Sequence, residues 1–190
     1  MTAHTHIRNV VAALTPIDDL EATHQRDVLA WIDSGAPLFR VAKPDKPPKH
    51  LVSYFVVFDE AHSSLLLIDH IKAGLWLPTG GHVEPDEDPR QTVVREAEEE
   101  LGLAADFSTP FGDTPLFITT TVTRGQNEHT DVSLWYVIRG NRHESLTFDT
   151  REMRGYQWHT LPAVLAMDIT RLDPHMHRFV CKLQGQLSKV

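Results

Sequence analysis

The chain has 190 residues, of which 41% are hydrophobic and 23% charged, and its formal net charge is −8. This length and composition are typical of one globular domain with some additional segments, and they exclude collagen, coiled-coil and disordered classes. The negative charge argues against binding of a nucleic-acid polymer, although an acidic protein can bind phosphates when a divalent cation bridges the two.

Residues 1–48 predict an N-terminal helical extension followed by a proline-rich connector. Helix is expected from residue 1 to about 35, with Thr15-Pro16 as the start of one helix and Gly35 at its end. Helical spacing predicts one buried stripe formed by Leu20, Val28, Trp31 and Ile32. The basic, proline-rich residues 43–49 predict an irregular connector. This extension is expected to serve packing or dimerisation.

Residues 49–190 predict a single domain of mixed secondary structure. Runs of β-branched and aromatic residues predict strands at 51–58, 64–69, 116–123, 131–138 and 156–159. Helices are predicted at 89–101, where Gly102 ends the helix, and at 161–167 and 174–187. The simplest architecture is an α/β (α+β) fold, in which a mixed β-sheet is sandwiched between helices.

A glycine loop over residues 79–84 precedes the predicted helix 89–101, which is rich in glutamate. Glu96, Glu99 and Glu100 share one face of this helix, whereas Glu98 points elsewhere. Like charges at this spacing destabilise a helix, and Arg95 alone cannot neutralise three carboxylates. Clustered carboxylate oxygens suit Mg²⁺ or Mn²⁺, and a solvated acidic surface is the alternative interpretation.

This segment resembles the Nudix signature, in which a glycine, a glutamate and a run of the form Arg-Glu-apolar-X-Glu-Glu-X-Gly-apolar occur at fixed spacing. The defined positions are filled by Gly81, Glu87, Arg95, Glu96, Ala97, Glu99, Glu100, Gly102 and Leu103. Asp86 departs from the usual pattern, because many family members carry a glycine there. The resemblance implies a Nudix-like fold and hydrolysis of a diphosphate linkage.

The resemblance also implies roles for individual residues. Glu96, Glu99 and Glu100 would be ligands of Mg²⁺, with Mn²⁺ as an alternative, and the carbonyl of Gly81 would assist. Arg95 would hold a glutamate in place through its planar guanidinium, so that Arg95, Glu99 and Glu100 belong to the catalytic group. Glu87 would have a mainly structural role, linking the loop to the helix.

Residues outside the signature provide candidates for the general base and for substrate binding. Glu152 is the expected base, and Glu128 is a weaker candidate. The expected substrate-binding residues are His82, Trp76, Tyr54 and Arg124, and His129, Trp135 and Arg139 are further candidates. Loop histidines are usually solvated and strand aromatics usually belong to the core, so each of these assignments has a structural alternative.

The expected reaction is hydrolysis of a (d)NTP to a nucleoside monophosphate and pyrophosphate. Hydrolysis of ADP-ribose or a dinucleoside polyphosphate is the first alternative, and a catalytically silent ligand-sensing domain is the second. The expected binding partner is a small nucleotide substrate, and the sequence leaves open whether the chain forms a homodimer. The apolar runs are too short to cross a membrane, there is no signal-peptide pattern, and the single cysteine, Cys181, excludes an internal disulfide. We therefore expect a cytoplasmic protein, with Cys181 in the core.

Overall fold

The computed structural model describes residues 2–42, 46–123 and 128–189. The helices are α1 (Ala3–Ala12), α2 (Asp19–Asp33), α3 (Pro89–Leu101), α4 (Leu161–Ala166) and α5 (Met176–Leu187). The strands are β1 (Lys49–Asp59), β2 (Ser64–His70), β3 (Leu75–Leu77), β4 (Thr79–His82), β5 (Phe117–Val122), β6 (Thr130–Arg139) and β7 (Met153–Thr160). None of the helices in the described ranges has the length and apolar character needed to cross a membrane.

The strands form a seven-stranded sheet in the hydrogen-bonding order β3-β2-β1-β6-β5, with β4 paired to β1 and β7 paired to β2. The pairs β1–β2, β2–β3, β2–β7 and β5–β6 are antiparallel. The predicted fold class is confirmed, because a mixed sheet is flanked by helices and an N-terminal helical segment is present. Whether residues 1–48 and 49–190 are separate domains stays a prediction.

The chain divides into two compact units, and β1, α3 and β6 are each divided between them. The first unit comprises residues 1–54, 80–93 and 114–136, and the second comprises residues 55–79, 94–113 and 137–190. Each unit positions a different group of polar side chains, and the two groups are described separately below.

The N-terminal helix α2 begins later than the sequence predicts. The predicted start at Thr15-Pro16 is wrong, because the side chain of Asp18 caps the helix by accepting a hydrogen bond from the Glu21 N–H at 2.8 Å. An N-cap carboxylate satisfies an N–H group that has no partner within the helix, and its charge is favourable at the helix N-terminus.

The buried face of α2 is also more polar than predicted. Val28 and Ile32 are buried as expected, but Leu20 is 46% exposed. The fully buried carboxylate of Glu21 lies on this face and accepts a hydrogen bond from the Ile118 N–H of β5 at 3.4 Å. The helix therefore packs on the edge strand partly through a hydrogen bond that a hydrophobic pattern cannot reveal.

The predicted glycine loop is largely a strand. Residues 79–82 form β4, which pairs with β1. A Cβ atom at Gly80 would lie 2.3 Å from the carbonyl oxygen of Ser53, so only glycine allows this close approach of two backbones. The hydroxyl of Ser53 donates to the Pro89 carbonyl at 2.8 Å and thereby fixes the start of α3 against β1.

Two further predictions need correction. The last predicted strand, 156–159, is longer, because residues 153–160 pair with β2 from Ser64 to His70. Cys181, expected in the core, is exposed on α5. Its neighbours Val180 and Leu183 take the buried positions of that helix instead.

Replacing Asp59 by alanine is expected to lower the free energy of unfolding by about 1–3 kcal/mol at neutral pH, because buried donors would lose their acceptor. The Asp59 carboxylate is 3% exposed and accepts from the N–H groups of Arg142 at 2.9 Å and His62 at 3.1 Å. Burial opposes the charged form, but these hydrogen bonds together lower the pKa of Asp59. Urea unfolding of the variant, with the exposed Glu60→Ala as control, measures the loss.

The sign of this pKa shift sets the pH dependence of the Asp59 contribution. Because the pKa is lower in the folded state, the stabilisation is fully present above the unfolded-state pKa and is lost as pH falls through the folded-state pKa. The difference between native chain and Asp59→Ala should therefore shrink below about pH 4. A difference that grows on acidification would contradict this account.

Trp135, a further candidate for stacking on a base, is a core residue. It is fully buried, its indole N–H donates to the Thr119 hydroxyl at 2.9 Å, and its ring packs edge-on against Tyr54 and Phe117. Trp135→Phe should therefore cost about 2–3 kcal/mol of stability through a cavity and an unsatisfied hydroxyl. Chemical denaturation measures this, and adding Thr119→Val should recover part of the loss. Full stability of Trp135→Phe would argue against the core role.

Candidate active site on helix α3

The acidic face of α3 is positioned by the apolar face of the same helix. Val93, Ala97 and Leu101 recur every four residues and are fully buried. Gly102 ends the helix with φ +60, and the N–H of Leu103 bonds back to the Ala97 carbonyl at 3.0 Å. These contacts fix the rotation of the helix, so that the half-buried Glu96 and the exposed Glu99 lie beside the buried stripe.

Arg95 brings two of the predicted ligands together. Its Nη1 lies 2.5 Å from a carboxylate oxygen of Glu96 and 3.6 Å from one of Glu99. Burial raises the pKa of Glu96; Arg95 opposes this effect, and the negative charges of Glu99 and Glu152 add to it. Burial is thus the main reason why the charged form of Glu96 is disfavoured.

The turn that carries Glu152 is attached to the end of α3. The N–H of Asp149 donates to the Glu100 carbonyl at 3.1 Å, and the Glu152 carbonyl accepts from the Ile71 N–H at 2.8 Å. These main-chain bonds explain why the charge of Glu152 acts on Glu96 although the two are far apart in sequence. The backbone of the turn that carries the predicted base is therefore held at the C-terminal end of α3, within the second unit.

The remaining residues of the signature segment differ in burial, hydrogen bonding and backbone conformation. The side chain of Glu100 is largely buried, and Gly81 lies half-buried in β4. Glu87 accepts from the Glu84 N–H at 3.0 Å and from the Thr92 hydroxyl at 2.7 Å, and these bonds attach the loop to α3 as the resemblance implies. Asp86 adopts φ +63, the left-handed conformation for which glycine is the usual residue.

The donor set on α3 fits a hard divalent cation. Glu96, Glu99 and Glu100 carry carboxylate oxygens on this helix, and Mg²⁺ accepts such oxygens together with water and phosphate oxygens. Burial is the main cause of the raised pKa of Glu96, and the negative charges of Glu99 and Glu152 add to it. A cation at this position would favour the charged carboxylates, so the residues present fit Mg²⁺ or Mn²⁺.

Of the expected substrate-binding residues, Trp76 belongs to the second compact unit, whereas Tyr54 and His82 belong to the first. Trp76 is half-buried, with its ring edge-on to His159 at 5.9 Å between centroids. Tyr54 is half-buried, with its ring against Trp135 at 5.1 Å. Arg124 lies outside the described residues. Stacking by Trp76 and Tyr54 and phosphate binding by Arg124 stay predictions.

His82 lies in a polar group that sequence reasoning did not assemble. Its ring is 4.8 Å from that of His50, and His129 and Asp131 complete the group. Neither His50 nor Asp131 was singled out from the sequence. The signal available was the alternation His129-Thr130-Asp131, because residues two apart in a strand point to the same face.

Comparison with known proteins identifies the family. The family model described as NUDIX domain matches residues 48–183, which is well over half of the chain. A stretch of 34 residues is 62% identical to CTP pyrophosphohydrolase of Escherichia coli (strain K12); it covers 18% of this chain and only 25% of the length of that relative.

Solved structures share the fold at low sequence identity. An Ap4A hydrolase from C. elegans has a TM-score of 0.57 at 18% identity, over 74% of this chain and 98% of its own. The NUDIX domain of Shewanella oneidensis NrtR, complexed with ADP ribose, has a TM-score of 0.55 at 19% identity, over 72% and 87% respectively. With the family model matched across the sheet and the acidic helix, this chain belongs to the NUDIX family.

Proposed function

We propose that the protein is a divalent-metal-dependent hydrolase that cleaves a diphosphate linkage in a nucleoside diphosphate derivative. The observation that carries this proposal is the contact of Arg95 with both Glu96 and Glu99 on one face of α3, while the turn that carries Glu152 is bonded to the end of that helix. A surface helix that is merely solvated would not need a second acidic segment attached to its C-terminal end.

In such a reaction, different residues of the chain would bind the cation and accept the proton. Glu96, Glu99 and Glu100 would hold the cation, assisted by the Gly81 carbonyl, and Arg95 keeps the Glu96 carboxylate in one orientation. A bound Mg²⁺ would neutralise charge on the phosphoryl oxygens and favour ionisation of water. Glu152 would accept the proton of the attacking water as one P–O bond of the bridge breaks and the new P–O bond forms.

The favoured substrate is a (d)NTP, which would yield a nucleoside monophosphate and pyrophosphate. The segment that matches CTP pyrophosphohydrolase supports this choice, because that relative is 62% identical over the matched residues. ADP-ribose, dinucleoside polyphosphates and ligand sensing without catalysis are the outcomes against which the proposal is tested. We further propose a cytoplasmic protein in which residues 1–48 are an extension that serves packing or a homodimer contact.

A panel of nucleotides with Mg²⁺ or Mn²⁺ tests the proposal when the products are identified by mass. Release of pyrophosphate from one or more triphosphates is the expected result. Two monophosphate products from ADP-ribose would move the substrate to the first alternative. Tight binding without turnover of any compound would support the sensing domain and overturn the proposed enzyme.

A further inference from the structure

The histidine cluster consists of His50, His82, His129 and Asp131. One ligand atom from each residue lies within 4.8 Å of the others. All four residues belong to the same compact unit, on or next to β1, β4 and β6, and none of them is on α3. The cluster is therefore a second polar group, built from different residue types than the acidic face of α3.

The tautomer of His50 is set by a main-chain contact. Its Nδ1 lies 2.9 Å from the Pro47 carbonyl oxygen, which can only accept, so Nδ1 carries the proton. In the neutral ring the lone pair is then on Nε2, and this nitrogen lies 3.3 Å from the Asp131 Oδ1 atom. His50 is fully buried, and water cannot reach this lone pair.

The ring of His129 is held between two polar partners. Its Nδ1 atom lies 3.0 Å from the Thr123 hydroxyl oxygen, and its Nε2 atom lies 3.2 Å from the same Asp131 Oδ1 atom. The Nε2 atoms of two imidazole rings thus lie close to one carboxylate oxygen.

If neither Nε2 atom carries a proton, these two nitrogens and the Asp131 oxygen are three acceptors that repel each other unless a positive charge lies between them. The Asp131 Oδ1 atom is buried and receives no hydrogen bond within the described residues. Either a proton or a metal ion can supply the missing charge. A metal-binding imidazole is usually oriented by its other ring N–H, which donates a hydrogen bond to a backbone carbonyl, a carboxylate or water.

The spacing of the cluster is compatible with a metal ion. A tetrahedral ion with metal–ligand distances near 2.05 Å places neighbouring ligand atoms about 3.3 Å apart. Asp131 Oδ1 lies 3.3 Å and 3.2 Å from the Nε2 atoms of His50 and His129, close to this edge length, and the same distances also suit a hydrogen bond. Imidazole nitrogen suits Zn²⁺ and its transition-metal neighbours, whereas Mg²⁺ prefers oxygen.

We propose that the histidine cluster binds one transition-metal ion, with Zn²⁺ as the preferred ion. The ligands of this site are different residues from the carboxylates of α3. Because the ligands come from three strands, the ion would join those strands and stabilise the unit that contains them. The proposal does not depend on catalysis, since its readouts are metal content and folding stability.

The substitution Asp131→Asn separates a metal site from a protonated ion pair. An asparagine side-chain N–H can donate to one imidazole lone pair, so in a metal site the metal-free fold should keep its melting temperature while Zn²⁺ affinity falls. The loss should exceed the roughly 10–100-fold expected when only a supporting residue is changed. In an imidazolium–carboxylate pair, removing the negative charge would instead lower the melting temperature of the metal-free protein.

The full chain is stripped with a chelator, then titrated with Zn²⁺ or Co²⁺ in the presence of excess Mg²⁺. We expect one Zn²⁺ per chain, a higher melting temperature, and the intense visible bands of tetrahedral Co²⁺. His129→Gln and Asp131→Asn should each abolish all three signals. The control variant His143→Ala removes an exposed histidine near His62 and should leave the signals unchanged. A Zn²⁺ content below about one ion per five chains would overturn the proposal, as would Zn²⁺ binding by the cluster variants equal to that of the native chain.

Discussion

Replacing Glu99 by glutamine is expected to lower kcat at least about 1000-fold, because the loss of a metal ligand costs several kcal/mol of transition-state stabilisation. The carboxylate of Glu99 is exposed and lies 3.6 Å from Arg95, beside Glu96. Glutamine has nearly the same size and helix propensity, so the fold should be retained. Steady-state rates at saturating Mg²⁺, with melting temperatures measured alongside, test this expectation.

Glu98→Gln is the matched control for this variant. Glu98 is also an exposed glutamate of α3, one residue earlier, and it points away from the face shared by Glu96, Glu99 and Glu100. We expect its activity to stay within about twofold of the native chain, because a surface charge contributes little. If Glu99→Gln keeps more than about a tenth of the activity, the assignment of this face as the metal site is wrong.

Replacing Glu152 by glutamine is expected to lower kcat by about 100- to 10000-fold, the usual contribution of a general base. Glu152 is half-buried, and its backbone is fixed to Ile71 by a 2.8 Å hydrogen bond, so the loss should come from chemistry. KM should change little, and the requirement for Mg²⁺ should remain. Pre-steady-state measurement of the chemical step separates this effect from product release.

Glu128→Gln tests the weaker candidate for the same role. Glu128 is exposed near the start of β6, in the other compact unit. We expect this variant to keep its activity. If Glu128→Gln loses activity while Glu152→Gln retains it, the base has been assigned to the wrong segment.

Local sequence patterns predicted the acidic helix well. The predicted bounds 89–101 equal those of α3, since Pro89 opens it and Gly102 ends it, and both signals act through neighbouring backbone. The departure at Asp86 was also meaningful, because its backbone has the positive φ that glycine usually provides. These features need no information from distant parts of the chain.

Features that depend on distant contacts were missed. The strand character of β4 arises from pairing with β1, which a run of small residues such as Gly80 and Gly81 does not indicate. The buried carboxylate of Glu21 on α2 has its acceptor role because β5 lies beside it. The histidine cluster joins residues that are 32 to 81 positions apart from His50, and only the sheet brings them together.

The most direct test of the proposed hydrolase is turnover in ¹⁸O-labelled water, with Mg²⁺ present or removed by a chelator. The account predicts that a nucleoside triphosphate is cleaved only with the metal present, and that the label appears in a single phosphate product. Water is then the nucleophile at one phosphorus atom of the bridge. Cleavage that persists without a divalent cation, or products without the label, would contradict the account.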